Sequence, residues 1–156
     1  MKKTNAIRIL ESLNVPYKLR EFSIDESDLS AENAALRLEL PVDQVFKTLV
    51  VRGDRSGVVV VSIPGGRELD LKAFARVSGN KKVEMVSLKE VKLLTGYIRG
   101  AVSPLGLKNS YEYYLDENVF RFDSVIISAG TRGMQIEIAP EDLKKAASAL
   151  IGSFVR

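Results

Sequence analysis

Val45-Phe46-Lys47-Thr48-Leu49-Val50-Val51 is followed, across Gly53-Asp54-Arg55-Ser56-Gly57, by Val58-Val59-Val60-Val61-Ser62-Ile63. Two apolar, β-branched runs on either side of a Gly/Asp turn read as an antiparallel hairpin. The second run is apolar on both faces, which predicts a central strand covered on each side. The first run is interrupted by a charge. Lys47 shares a strand face with Val45, Leu49 and Val51, and an ammonium on an apolar face is costly unless something anionic or polar meets it. A lysine near a strand's start can also snorkel its head into water, so Lys47 alone does not define a site. Arg52-Gly53-Asp54 has the form of an adhesion motif, but Gly and Asp are what the hairpin turn requires.

The rest of the chain reads outward from this hairpin. Upstream, Lys3 to Leu13 has the period of an amphipathic helix with Ile7, Leu10 and Leu13 on one face. Pro16 ends it, Tyr17 to Phe22 alternates like a short strand, and the polar stretch Asp25 to Ser30 leads into a helix over Ala31 to Leu40. Ser30 is its candidate cap and Pro41 its stop. Downstream, Leu71 to Val77 reads as a helix ended by Gly79, and Lys81 to Val86 as a strand. Ser87-Leu88-Lys89-Glu90 has the form of a capping box opening a helix to Leu94. After a turn-rich loop from Gly96 to Asn109, strands are expected at Tyr111 to Leu115, Val125 to Ser128 and Met134 to Ile138. Pro140 opens a last helix, with Leu143, Ala147, Leu150 and Phe154 on one face. Strands and helices interleave irregularly, and hairpins exclude a purely parallel sheet. The expected fold is a single α/β (mixed α+β) domain over residues 1–156, a barrel-like mixed sheet flanked by helices.

Composition narrows the chemistry. The 156 residues include no histidine and no cysteine. That removes Ser-His and Cys-His catalysis, imidazole acid/base chemistry, thiolate or imidazole metal sites and disulfides. No metal and no cofactor is expected. A hydrophobic content of 46% suits one core built by packing alone. The net charge of +3 is compatible with touching phosphate, but well short of a dense basic nucleic-acid surface. The N-terminus has the charge of a signal peptide without its apolar centre, and no apolar run is long enough to span a bilayer. The expectation is a cytoplasmic protein with no membrane contact.

Three features carry the function: Lys47, the loop Gly100-Ala101-Val102-Ser103-Pro104-Leu105-Gly106, and Ser128-Ala129-Gly130-Thr131-Arg132-Gly133. Singly, the first loop reads as a turn, the second as a strand connection using glycine's positive φ, and Arg132 as a solvated charge. Together the chain resembles the YbaK/EbsC family of free-standing aminoacyl-tRNA deacylases, related to the insertion editing domain of bacterial prolyl-tRNA synthetase. Leu69-Asp70-Leu71-Lys72, Lys81-Lys82-Val83-Glu84-Met85, Thr95-Gly96-Tyr97 and Ile136-Glu137-Ile138 extend the resemblance over essentially the whole chain.

The resemblance implies a barrel-like sheet wrapped by helices and removal of a wrong amino acid from a mischarged tRNA, with prolyl-tRNA synthetase as the candidate presenter. An aminoacyl ester is already activated, so the protein need only position a nucleophile and stabilise an oxyanion. That suits a chain without histidine. Lys47 would bind the terminal phosphate or the carbonyl oxygen as a fixed cation. Backbone N–H groups of Gly100, Ala101 and Val102 would serve the oxyanion, with Ser103, Pro104 and Gly106 completing that wall and Gly130, Arg132 and Gly133 forming the opposite one. Cysteine-specific members carry Tyr and Asp where this chain has Phe22 and Gln135, and Ala101 replaces a family glycine. Cysteine is the first expected substrate, on Cys-tRNA(Pro) or Cys-tRNA(Cys), with alanine and serine as alternatives. Two other classes stay open: a non-catalytic tRNA- or synthetase-binding module, and a Schiff-base enzyme using Lys47 with pyridoxal phosphate or a carbonyl substrate.

Overall fold

Thirteen regular elements position the site in a computed structural model that describes residues 3–156. In chain order they are α1 (Asn5–Ser12), β1 (Lys18–Glu21), α2 (Ala31–Leu38), β2 (Phe46–Gly53), β3 (Gly57–Pro64), α3 (Leu71–Val77) and β4 (Val83–Met85). They continue with α4 (Leu88–Thr95), β5 (Tyr113–Asp116), β6 (Val125–Thr131), β7 (Met134–Ile138), α5 (Pro140–Ala146) and β8 (Leu150–Gly152). The hairpin forms in the register its turn dictates, with Gly53 opposite Gly57, Thr48 opposite Ser62 and Phe46 opposite Pro64. Asp54 closes it by accepting the N–H groups of Lys81 and Lys82 at 3.0 and 3.1 Å, so the Arg-Gly-Asp tripeptide is turn structure.

β3 is central, as its two-sided apolar pattern requires, in a five-stranded sheet of order β4-β2-β3-β5-β8. β2 runs antiparallel to β3 and β4, whereas β5 is parallel to β3 and β8 parallel to β5. A second, antiparallel sheet has the order β1-β7-β6. The sheet is therefore mixed as expected, but split in two rather than closed into a barrel. A parallel bridge between Val45 and Ile126 joins the halves. The split has a physical origin in β2. Its outer edge pairs with β4 only from Val51 to Gly53, and Val86 N–H reaches the Val50 carbonyl at 3.0 Å. Between Val50 and the bridge at Val45, no strand continues along that edge among the described residues.

The main core fills the space under α1, α5 and the three-stranded sheet, with Ile7, Leu10, Phe46, Leu115, Ile127, Ile136 and Leu143 buried together. Leu13 is exposed instead, because α1 ends at Ser12 and Asn14 turns to φ 56°. Thr4 caps that helix and Ser30 caps α2 by accepting from Asn33 N–H. Ser87 makes no side-chain cap; Glu90 turns away to pair with Arg52 at 3.1 Å. The last helix stops at Ala146, and Ser148 takes φ 52°. The chain then becomes β8, leaving Leu150 exposed. Phe154 joins a different cluster, packed edge-on against Phe74 with ring centres 5.2 Å apart.

Candidate functional site

A cavity of about 280 Å³ opens at the gap in β2's outer edge. Four segments surround it: Phe22 to Ala34 with the start of α2, the stretch from Met85 into α4, the Arg99 to Val102 loop, and the facing ends of β6 and β7. Lys47 and Thr48 leave β2 on opposite faces, and both reach the cavity because it wraps the strand's edge. Val50 directs its carbonyl toward the β4 side, so two-residue alternation turns the backbone N–H and C=O of Thr48 toward the same edge, where no strand among the described residues takes them up.

Lys47 is half-buried, and its ammonium makes no ion pair or hydrogen bond among the described residues. Two carboxylates line the cavity with it, but both are engaged locally. Asp25 accepts the Ser27 hydroxyl at 2.6 Å and the Ser27 N–H at 3.0 Å, and the hydroxyl contact above all holds its pKa below the ordinary value. Asp28 accepts the Ser30 hydroxyl at 2.6 Å and the Ser30 N–H at 3.1 Å. Arg132 Nε donates to the Arg99 carbonyl at 3.0 Å, pinning the β6–β7 turn onto the Gly100 loop. Both arginines line the cavity, which therefore gathers three cations round an interior that includes Phe22, Leu29, Val50, Val91 and Val102. Such a site suits a small side chain held inside with an ester or phosphate at the cationic rim. Among the described residues no three acidic side chains converge as a metal site would need.

The residues singled out in the sequence divide into two groups. Phe22, Lys47, Gly100, Val102, Arg132, Gly133 and Gln135 line the cavity. Ala101, Ser103, Pro104, Gly106 and Gly130 do not; they lie behind its wall. Ala101 is fully buried and its N–H already donates to the Ile98 carbonyl at 2.9 Å, so it has no free donor for an oxyanion. Ser103 is likewise fully buried, with its hydroxyl accepting Leu105 N–H at 3.3 Å. Behind the wall stands Tyr97. Its hydroxyl donates to the Leu105 carbonyl at 2.6 Å, and a Cβ at Gly130, where φ is +101°, would sit 2.7 Å from its Cε1. Tyr97 thus ties Leu105 of the loop to β6 at Gly130.

Arg99, Thr48, Ser128 and Leu29 also line the cavity and were not anticipated. Arg99 could have been suspected from its place beside Gly100. Thr48 carried a signal too, as a hydroxyl beside Lys47 that faces another hydroxyl, Ser62, when the register is counted from the turn. Ser128 opens the segment that runs to Gly133, though no role was assigned to it; Leu29 gave no signal, since only tertiary packing brings it in.

A family model described as aminoacyl-tRNA editing domain matches residues 26–146. EbsC of Enterococcus faecalis, provisionally named a Cys-tRNA(Pro)/Cys-tRNA(Cys) deacylase, is 52% identical over 140 residues, covering 90% of this chain and 85% of its own. A proline–tRNA ligase of Thermosipho africanus is 30% identical over 77 residues, 49% of this chain and 14% of the ligase. A crystal structure provisionally described as a trans-editing enzyme for prolyl-tRNA synthetase superposes with a TM-score of 0.84 at 26% identity, covering 100% of this chain and 99% of that one. The chain belongs to the aminoacyl-tRNA editing domain family.

Proposed function

We propose that this protein removes a mischarged amino acid, cysteine first, from the 3′ end of tRNA by cleaving the aminoacyl ester. The observation that carries the reading is Lys47: an ammonium unpaired among the described residues, lining a small, mostly apolar cavity, in a chain with no histidine or cysteine. The 52% identity to EbsC supports cysteine as the first substrate, and Gln135 in the pocket keeps alanine and serine as the second.

The chemistry needs little from the protein. Lys47 offers a fixed positive charge to the carbonyl oxygen or terminal phosphate, where negative charge develops or resides. With water as nucleophile, its oxygen bonds to the carbonyl carbon, the bond to the ribose oxygen breaks, and that oxygen takes the proton. With a cysteinyl ester, the substrate's own sulfur can attack instead, releasing a thiolactone while the thiol proton goes to the ribose oxygen. Free backbone donors at Gly100 and Val102, not Ala101, are the candidates for the oxyanion contact. Cations at Arg99 and Arg132 suit the phosphodiesters that precede the terminal adenosine. Prolyl-tRNA synthetase is the proposed presenter, since a net charge of +3 supplies few phosphate contacts of its own.

The test is a panel of tRNAs charged with Cys, Ala, Ser and Pro, incubated with purified protein. Faster loss of Cys than of Pro supports the proposal. No cleavage of any ester refutes it. An absorbance band lost on borohydride treatment would instead favour Schiff-base chemistry.

A further inference from the structure

Thr48, Ser62 and Tyr113 form a row of hydroxyls across β2, β3 and β5 that leads from the cavity into the core. Thr48 Oγ1 lies 2.7 Å from Ser62 Oγ, across the strand pair that places them opposite each other. Val60 pairs with Tyr113 in the parallel β3–β5 ladder, which sets Tyr113 beside Ser62 on the same face. Ser62 is 0% and Tyr113 2% exposed. The Tyr113 hydroxyl is buried without a hydrogen-bond partner among the described residues, with the Ser62 hydroxyl as its polar neighbour. Only Thr48 reaches the cavity.

Each of the three hydroxyls has one proton, and the row can be polarised in two directions. Pointing inward, Thr48 donates to Ser62 and Ser62 toward Tyr113, whose own proton is then left with no acceptor in the core. Pointing outward, Tyr113 donates toward Ser62 and Ser62 to Thr48, and the Thr48 proton is free for the cavity. A buried donor without a partner is rarer and costlier than an acceptor with a spare lone pair, so the outward direction is favoured. Burial raises the Tyr113 pKa well above the ordinary value, keeping the phenol in its donating, neutral form.

We propose that Tyr113 and Ser62 are positioning residues that set the Thr48 hydroxyl as a hydrogen-bond donor into the cavity, where it meets an oxygen of the ester being cleaved. This rests on the deacylase reading above. It adds a neutral donor to the fixed charge of Lys47, delivered from the opposite face of the same strand. A Thr48 hydroxyl oriented through Ser62 does not have to reorient as charge builds on the ester oxygen.

The experiment compares kcat, KM and melting temperature for wild type, Thr48→Val, Thr48→Ser, Ser62→Ala, Tyr113→Phe and Ser62→Ala/Tyr113→Phe, using Cys-tRNA as substrate. Thr48→Val should lose roughly 100-fold or more in kcat, as other single-donor deletions do, and Thr48→Ser should recover most of it. Tyr113→Phe should lower kcat roughly tenfold with little change in KM, while melting at or above the wild-type temperature, because it deletes a hydroxyl with no full partner. The double variant should be no slower than Ser62→Ala alone, since both act through one row. Wild-type kcat in Tyr113→Phe and Ser62→Ala, beside an active wild type, would overturn the proposal and leave the deacylase reading standing. A wild type inert on every ester would refute that reading and the row's role with it.

Discussion

Tyr97→Phe deletes one oxygen and tests how the wall of the cavity is held. The Tyr97 hydroxyl donates to the Leu105 carbonyl at 2.6 Å, and Leu105 is 2% exposed, with no other donor to that carbonyl among the described residues. Removing the phenol leaves a buried acceptor unpaired, a cost of about 1–3 kcal/mol. For a chain of this size each kcal/mol is about 2–4 °C in Tm, so the central expectation is a drop of about 4–8 °C. The same bond anchors the segment after Gly100 and Val102, so kcat should fall more than KM rises. A pH series adds an internal control. Burial pushes the Tyr97 phenol up to about 12, so its contribution is full below pH 10 and is lost as pH rises through about 12. The gap in stability between wild type and Tyr97→Phe should therefore narrow across that range. Scanning calorimetry with denaturant melts measures both. An unchanged Tm together with unchanged kcat would refute the bracing role.

Other expectations follow from the same geometry. Glu137 accepts Ser124 Oγ and Arg20 Nη1, each at 2.7 Å, and the Ser124 contact first, then Arg20, hold its pKa below the ordinary 4.5. Its contribution is present above about pH 4.5 and lost as pH falls through the lower folded value; Glu137→Gln should cost about 1 kcal/mol at pH 7, with the difference shrinking in urea melts at pH 3. Gln135→Asp should alter the ratio of Cys to Ala and Ser cleavage, whereas Ala101→Gly should leave that ratio unchanged, because only Gln135 lines the cavity; competitive rate measurements decide both. Activity on an aminoacyl-adenosine mimic should survive chelation, because the chain has no histidine or cysteine and no three acidic side chains converge among the described residues; loss on chelation, restored by one metal, would contradict it.

What the sequence disclosed followed from locality. The β2–β3 hairpin was readable because its apolar runs, its Gly/Asp turn and its register all lie within twenty residues. The β6–β7 hairpin was readable for the same reason. The C-terminus misled because Leu143, Ala147, Leu150 and Phe154 are spaced like one helix face. In the fold, Ser148 turns left-handed, Leu150 pairs with Tyr114 some 36 residues upstream, and Phe154 packs on Phe74. No local pattern encodes those contacts. The site divides the same way. Lys47 stood out because a charge in an apolar strand needs a reason. Ala101, Ser103, Pro104, Gly106 and Gly130 sit in motifs that reach the cavity at neighbouring residues, and motif membership cannot tell a lining residue from the brace behind it. Leu29 enters only through the packing of separate segments.

The central claim is that Lys47 is a substrate-facing cation without a structural partner. Its most direct measurement is the single-turnover deacylation rate of Lys47→Ala against wild type on Cys-tRNA, with the Tm of both recorded. The account predicts loss of activity with a Tm level with wild type or higher, since no ion pair is broken and a half-buried charge is removed. Wild-type turnover in the folded variant, or unfolding as its sole defect, would contradict it.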